Sequence, residues 1–315
     1  MPSFLTNLFA FLALSALLLY GFYRYSTTVV KEEDLSNHYL AASIDRHARL
    51  TTLDKPRVLF MGNSNLAFGL DSEYLERELG RPVANLGLHG ALGLKFTVAE
   101  TLSVIEQGDM VVVCIPHYLS YQGNKKLLHL MNRVQPESKA WTSGISRVER
   151  LEFVWNDKLK TMQKAVKQGF KKKGNIEKAE GVYRRDAFNE YGDMVAHTSM
   201  SVPEKRKPWS PLWDVEGFDA QVSILTDFYE KAKSKGAEKV IMVYPAFIRS
   251  MYEQTTKELA ILQEYYAELP FEVLSKPEDF AYPDSLFFDT VYHLNKNGRE
   301  RWSQELAQLL KNKTM

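Results

Sequence analysis

From Phe4 to Tyr23 the chain reads FLTNLFAFLALSALLLYGFY, twenty residues without a charge. As a helix rising about 1.5 Å per residue, this run covers the roughly 30 Å hydrocarbon core of a bilayer. It ends in bulky LYGFYRY rather than in small residues, which favours an uncleaved anchor over residues 1–25 against a cleaved signal peptide. Residues 26–55 are polar and lack sustained apolar periodicity, and so predict a stalk. Beyond residue 56 the pattern changes. Arg57 to Met61, Pro82 to Leu86, Met110 to Ile115, Lys239 to Tyr244 and Phe271 to Leu274 are short apolar runs of strand type. Between them lie helical faces: Leu75 with Leu79 before Gly80, Val98 with Leu102 and Ile105, and Phe218, Val222, Leu225, Tyr229 and Ala232. A further helix is predicted near Met251 to Tyr266, and a closing one carries Trp302, Leu306, Leu309 and Leu310 on one face. Strands alternating with helices predict an α/β fold with a parallel sheet covered on both sides.

Between the two halves, residues 141 to about 211 break the alternation and predict an insertion. Its lysines include Lys158, Lys160, Lys164, Lys167, Lys171, Lys172 and Lys173. They suit either a surface for anionic lipid heads or polymer, or the solvated side of an amphipathic helix with Leu159, Met162 and Val166 turned inward. Trp141, Trp155, Trp209 and Trp213 flank this region, with packing as the default reading and stacking on sugar rings as the alternative.

Composition narrows the function. Hydrophobic residues make up 45% of the 315 positions, which excludes a disordered chain. Forty basic against thirty-nine acidic residues give a net charge of +1, too little for a global attraction to nucleic acid. Cys114 is the single cysteine, and no His, Cys, Asp or Glu set has ligand spacing, so neither a metal nor another cofactor is expected. Arg24 and Lys31 after the apolar run favour a cytoplasmic body by the positive-inside rule.

In parallel α/β sheets, sites gather at the carboxyl ends of strands. Four segments occupy such places: Gly62-Asn63-Ser64-Asn65, Asn85-Leu86-Gly87-Leu88-His89-Gly90, Pro116-His117-Tyr118, and Asp289 to Asn295 before the last helix. Ser64, His293 and Asp289 together supply a hydroxyl, an imidazole to take its proton and a carboxylate to orient that imidazole, the parts of nucleophilic acyl transfer. Phe188 to Asp193 (FNEYGD) has the composition of a turn and also resembles an FN-x-x-GD segment that recurs in cell-envelope proteins.

GNSN after the first strand, NLGLHG after the second and DTVYHLNKNGR before the last helix resemble blocks of the SGNH (GDSL-type) hydrolase superfamily. The single N-terminal anchor and the ending Tyr282 to Asp289 (YPDSLFFD) resemble more closely its membrane-anchored, DltD-like and alginate-acetylation-like members of the bacterial cell envelope. The resemblance implies a flavodoxin-like three-layer α/β/α sandwich over 56–315. It implies Ser64 as nucleophile, His293 as base and then acid, and Asp289 as the residue orienting His293. Backbone N–H groups of the Ser64 turn and of Gly87 would receive the oxyanion, with Asn65 beside them. Two departures stand out. Three residues separate Asp289 from His293 where the family has Asp-X-X-His, and the Gly-X-Asn-Asp block is replaced at best by Asn124. His117 either lines the pocket or closes its strand.

The implied activity is that of a single-pass serine acyltransferase or esterase of the inner membrane, with a periplasmic body opposing the charge signal of Arg24 and Lys31. It would act on acetyl or D-alanyl-like O-acyl groups of an envelope polysaccharide or teichoic-type polymer, with an MBOAT-type membrane acyltransferase as partner. The rival expectation is a catalytically silent scaffold or glycan-binding accessory of an acylation complex.

Overall fold

Five apolar runs pair side by side as β1 (Val58–Gly62), β2 (Val83–Asn85), β3 (Met110–Cys114), β4 (Lys239–Met242) and a later β6 (Glu272–Val273). All neighbours are parallel, in the order β2-β1-β3-β4-β6, with Val58 opposite both Val83 and Met110, and Val112 opposite Ile241. A two-stranded parallel pair, β5 (Phe247–Ile248) with β7 (Ala281–Tyr282), lies outside this sheet. The computed structural model describes residues 2–30, 35–117, 119–167, 181–204 and 215–314.

The helices in chain order are α1 (Pro2–Val29), α2 (Ala42–Leu50), α3 (Ser64–Gly69), α4 (Ser72–Leu79), α5 (Leu94–Val104) and α6 (Lys125–Val134). They continue as α7 (Arg147–Lys167), α8 (Val215–Ser234), α9 (Arg249–Gln254), α10 (Thr256–Ala267) and α11 (Lys296–Thr314). Successive strand residues point to opposite faces, and each face has its own core. Leu59, Met61, Val111, Val113, Val240 and Met242 pack with Val98 of α5, Leu225 and Phe228 of α8 and Leu262 of α10. Val58, Phe60, Met110, Val112 and Ile241 pack with Leu66 of α3, Leu75 of α4 and Trp302 and Leu306 of α11. Both faces being covered explains why β1 and β3 read as unbroken apolar runs. This is the three-layer α/β/α sandwich, with a flavodoxin-like strand order.

The chain divides into two compact units, Met1–Leu35 with Ile145–Glu180, and Ser36–Gly144 with Gly181–Met315. In the first unit, Ser3–Thr28 is long and apolar enough to cross a membrane, a property that signal sequences share. Val30, just past the end of α1, packs on Ala165 of α7, and the Lys158 ammonium lies 5.3 Å from the centre of the Tyr23 ring. Lys171, Lys172, Lys173, Trp209, Trp213 and Tyr118 lie outside the described residues.

Several boundaries differ from the sequence reading. Residues 36–55 are not a free stalk: Tyr39, Leu40, Ala41 and Ala42 are buried in the second unit, and Tyr39 donates its hydroxyl to the Leu88 carbonyl at 2.7 Å. A short segment of mixed polarity can bury one stripe without showing a long periodicity. Residues 181–204 likewise belong to the second unit rather than to an insertion of 141–211, with the Met194 N–H bound to the Ala67 carbonyl at 2.8 Å. The helix read over 251–266 is two helices. At Thr255 the backbone leaves the helical region (φ −124°, ψ 19°) and the hydroxyl donates to the Met251 carbonyl at 2.8 Å.

Far from the carboxyl ends of the strands, Arg57 and Asp109 form a buried pair at 2.6 Å that joins the starts of β1 and β3. The Arg57 guanidinium also donates to the carbonyls of Leu50 and Val104, so both charges are held by several hydrogen bonds.

Candidate active site

Strand β1 ends at Gly62, where a side chain would collide with the Cys114 carbonyl at the end of β3 and with Leu66. Glycine therefore lets the two strand ends stay together as the chain turns into α3. The Asn63 carbonyl accepts from the Leu66 and Ala67 N–H groups at 3.0 and 3.2 Å, which starts the helix with Ser64 as its first residue. Asn65 locks this turn: its Oδ1 accepts from the Asn63 N–H at 3.1 Å and its Nδ2 donates to the Cys114 carbonyl at 3.0 Å. Ser64 is half-buried and lines a cavity of about 410 Å³.

The cavity lies where the strand order reverses. Its walls come from Ser64 after β1, His89 and Gly90 after β2, Pro116 and Leu119 after β3, and Thr290 to His293 before α11, with Tyr39 and Tyr183 at its side. Crevices at such switch points are the usual ligand sites of open parallel sheets.

The spacing of Asp289 and His293 is resolved by a local turn. The Thr290 hydroxyl oxygen accepts from the Tyr292 and His293 N–H groups at 3.3 and 3.1 Å, and the Phe288 N–H donates to the His293 carbonyl at 2.7 Å. The loop is pinched at its base, so the extra residue is absorbed, and His293 Nδ1 meets Asp289 Oδ1 at 2.7 Å. Both residues are buried. A carboxylate accepting at Nδ1 fixes the proton there and makes Nε2 the basic nitrogen of the neutral ring. The Phe68 ring of α3 stacks on the imidazole, with centroids 3.9 Å apart and planes 3° from parallel. One short helix thus carries both Ser64 and the flat surface that holds His293.

Three further side chains join this assembly, and only Asp193, in the FNEYGD segment, lies in a motif the sequence singles out. Tyr183 donates its hydroxyl to Asp289 Oδ2, so that carboxylate accepts from two donors on opposite oxygens. Burial and the adjacent carboxylate raise the Tyr183 phenol above its ordinary value and keep it a donor. His197 packs on Phe68 from 4.8 Å and contacts the Leu294 carbonyl at 3.0 Å; burial lowers it to about 4, so it is neutral at pH 7. Asp193, in the FNEYGD turn, is fully buried. It accepts from the Ser72 hydroxyl at 2.6 Å, from Asn85 at 2.8 Å and from Arg299 at 3.0 Å. Long-range contacts bring these residues in, which a pattern of local spacings does not encode.

The remaining expected residues occupy other positions. Gly87 is packed against the Asn63 carbonyl and Leu66, where a side chain would collide, and its N–H donates to Asn85 Oδ1 at 2.9 Å. That N–H is committed within the protein and does not point to an oxyanion in this conformation. Asn65 serves the turn, as described. Asn124 caps α6, accepting from the Lys126 and Leu127 N–H groups at 3.0 and 3.1 Å. His117 is buried behind the cavity wall between Tyr244, Phe247 and Tyr292, with Nδ1 3.0 Å from the Tyr292 hydroxyl; burial lowers it to about 3. It closes its strand, and Tyr292 faces the cavity in its place. Trp141 is buried and stacked on His47 at 4.6 Å, whereas Trp155 is exposed on α7.

Among the described residues no group of three His, Cys, Asp or Glu side chains is placed to hold a metal ion. No family model matches the chain, and no curated protein matches it. Among solved structures, it is similar to an acetyl xylan esterase (Est2A) from the rumen bacterium Butyrivibrio proteoclasticus, at 11% identity and a TM-score of 0.35. That match covers 82% of this chain and 64% of the esterase.

Proposed function

We propose that this protein is a membrane-anchored serine acyl-ester hydrolase or acyltransferase of SGNH type. The observation that carries the reading is the Asp289–His293 pair, whose imidazole stacks on Phe68 and lines the same cavity as Ser64. In this mechanism His293 Nε2 takes the Ser64 proton as Oγ attacks an ester carbonyl. The imidazolium that forms is stabilised by Asp289 and then returns the proton to the departing alcohol. Water or a sugar hydroxyl next attacks the acyl-serine, with His293 again as base.

The substrate we infer is an O-acyl group of an extracytoplasmic envelope polymer. The long apolar N-terminal helix supports a location at the membrane, and the aromatic cavity rim of Tyr39, Tyr183 and Tyr292 suits a sugar ring. An MBOAT-type partner supplying acyl groups across the bilayer belongs to the same proposal. The committed Gly87 N–H and the capping role of Asn124 favour the rival reading of a silent, glycan-binding scaffold.

Treating the detergent-solubilised full-length protein with a serine-directed fluorophosphonate separates the two. The expected result is one adduct on Ser64 that disappears in His293→Ala. Well-folded protein that takes no label would support the scaffold.

A further inference from the structure

The side-chain amide of Asn63 is buried, and neither its nitrogen nor its oxygen has a hydrogen-bond partner. Three neighbouring asparagines differ from it. Asn65 is bound to the Cys114 carbonyl, Asn85 to Leu66 and Asp193, and Asn124 to the start of α6. Asn63 also occupies the position before the first residue of α3, where an asparagine ordinarily caps the helix, yet its side chain makes no capping bond. Burying an amide without a partner is unfavourable, so a residue kept in this state calls for a partner that arrives later.

Position says what that partner is. Asn63 is adjacent in sequence to Ser64, and its Nδ2 would lie 3.6 Å from a methyl built on Gly90, a residue of the cavity wall. Because position 90 is glycine, that wall residue puts no side chain of its own against the amide. A carbonyl oxygen under attack by Ser64 Oγ gains negative charge and needs an N–H donor to receive it. The Gly87 N–H, already donating to Asn85, does not supply that charge with a hydrogen bond.

We propose that Asn63 Nδ2–H is the side-chain oxyanion donor of this site, an inference that rests on Ser64 being the nucleophile. As the Ser64 Oγ–carbon bond forms and the hydroxyl proton passes to His293, the carbonyl π pair moves onto oxygen and is met by Asn63. When the pair returns, the carbon–oxygen bond to the leaving alcohol breaks and that alcohol takes the proton from His293. A donor of this kind acts on the transition state, so its loss lowers kcat and leaves KM nearly unchanged.

The test compares full-length wild type, Asn63→Ala, Asn63→Leu and Ser64→Ala in hydrolysis of p-nitrophenyl acetate, with Tm measured alongside. Expected is a 10²–10³-fold fall in kcat for both Asn63 variants at unchanged KM, with Tm equal to or above wild type because an unpartnered amide has been removed. Either Asn63 variant retaining activity within threefold while Ser64→Ala is inactive would overturn the inference and leave the Ser64 reading intact. Full activity in Ser64→Ala would overturn the underlying reading itself.

Discussion

Asp289→Asn is the sharpest perturbation of the proposed site, because it keeps the size of the side chain and changes only which atoms accept. In the wild type, one carboxylate oxygen accepts from His293 Nδ1 at 2.7 Å and the other from the Tyr183 hydroxyl. An amide offers one acceptor oxygen and one donor nitrogen, so one of those two donors meets an N–H. If the oxygen stays with Tyr183, the imidazole protonates on Nε2 and loses its basic atom on the side of catalysis. If it stays with His293, Tyr183 loses its acceptor, and in both cases the forming imidazolium loses its counter-charge. The same exchange in a serine-protease triad lowers kcat about 10⁴-fold, or about 5 kcal/mol at roughly 1.36 kcal/mol per decade. The burial of this pair argues for an effect in the same range, about 10³–10⁴-fold. The assay is fluorophosphonate labelling rate and p-nitrophenyl acetate turnover at pH 7, with circular dichroism to establish folding. Labelling of folded Asp289→Asn within tenfold of wild type would refute the orienting role of Asp289.

Three further outcomes are expected. Tyr183→Phe removes one donor and leaves the Asp289–His293 contact, so kcat should fall about 10–150-fold, the equivalent of about 1.5–3 kcal/mol for a bond to a charged group; an unchanged pH–rate profile and rate would contradict its positioning role. Asp109→Ala strips the counter-charge from the buried Arg57 and should cost about 3–5 kcal/mol in urea unfolding; a loss below about 1 kcal/mol would show that Arg57 finds other compensation. His117 and His197 are lowered by burial to about 3 and about 4, below their ordinary unfolded value, so the unfolded chain binds more protons as pH falls. Each histidine should therefore withdraw up to about 1.4 kcal/mol of stability per pH unit below about pH 6.5, until its folded value is reached. His117→Gln should lose less stability than wild type between pH 6.5 and pH 4.5, and equal losses would contradict the assignment.

Much of the sandwich was legible in the chain because its signals are local. Apolar runs such as Met110 to Cys114 and helical stripes such as Phe218, Leu225 and Ala232 record burial on both faces of a parallel sheet. Ser64, Asp289 and His293 stood out because each lies in a turn next to a strand or helix end. The order of those elements along the chain also determined that their turns would collect at one end of the sheet.

What the chain could not determine by itself was every feature made by residues far apart. The added residue between Asp289 and His293 has no fixed meaning in sequence; the Thr290 turn and the Phe288–His293 bond decide that the two side chains meet. Phe68 reads as one more apolar residue until packing lays its ring on His293, and Tyr183 falls within the stretch read as an insertion until its hydroxyl reaches Asp289. Gly87 and Asn124 carry the right chemistry at plausible positions, yet Asn85 and the start of α6 claim them. A hydrogen-bonding group is defined by the partner it finds. Local pattern determines which groups are present near the site, and only the tertiary packing decides which of them are already taken.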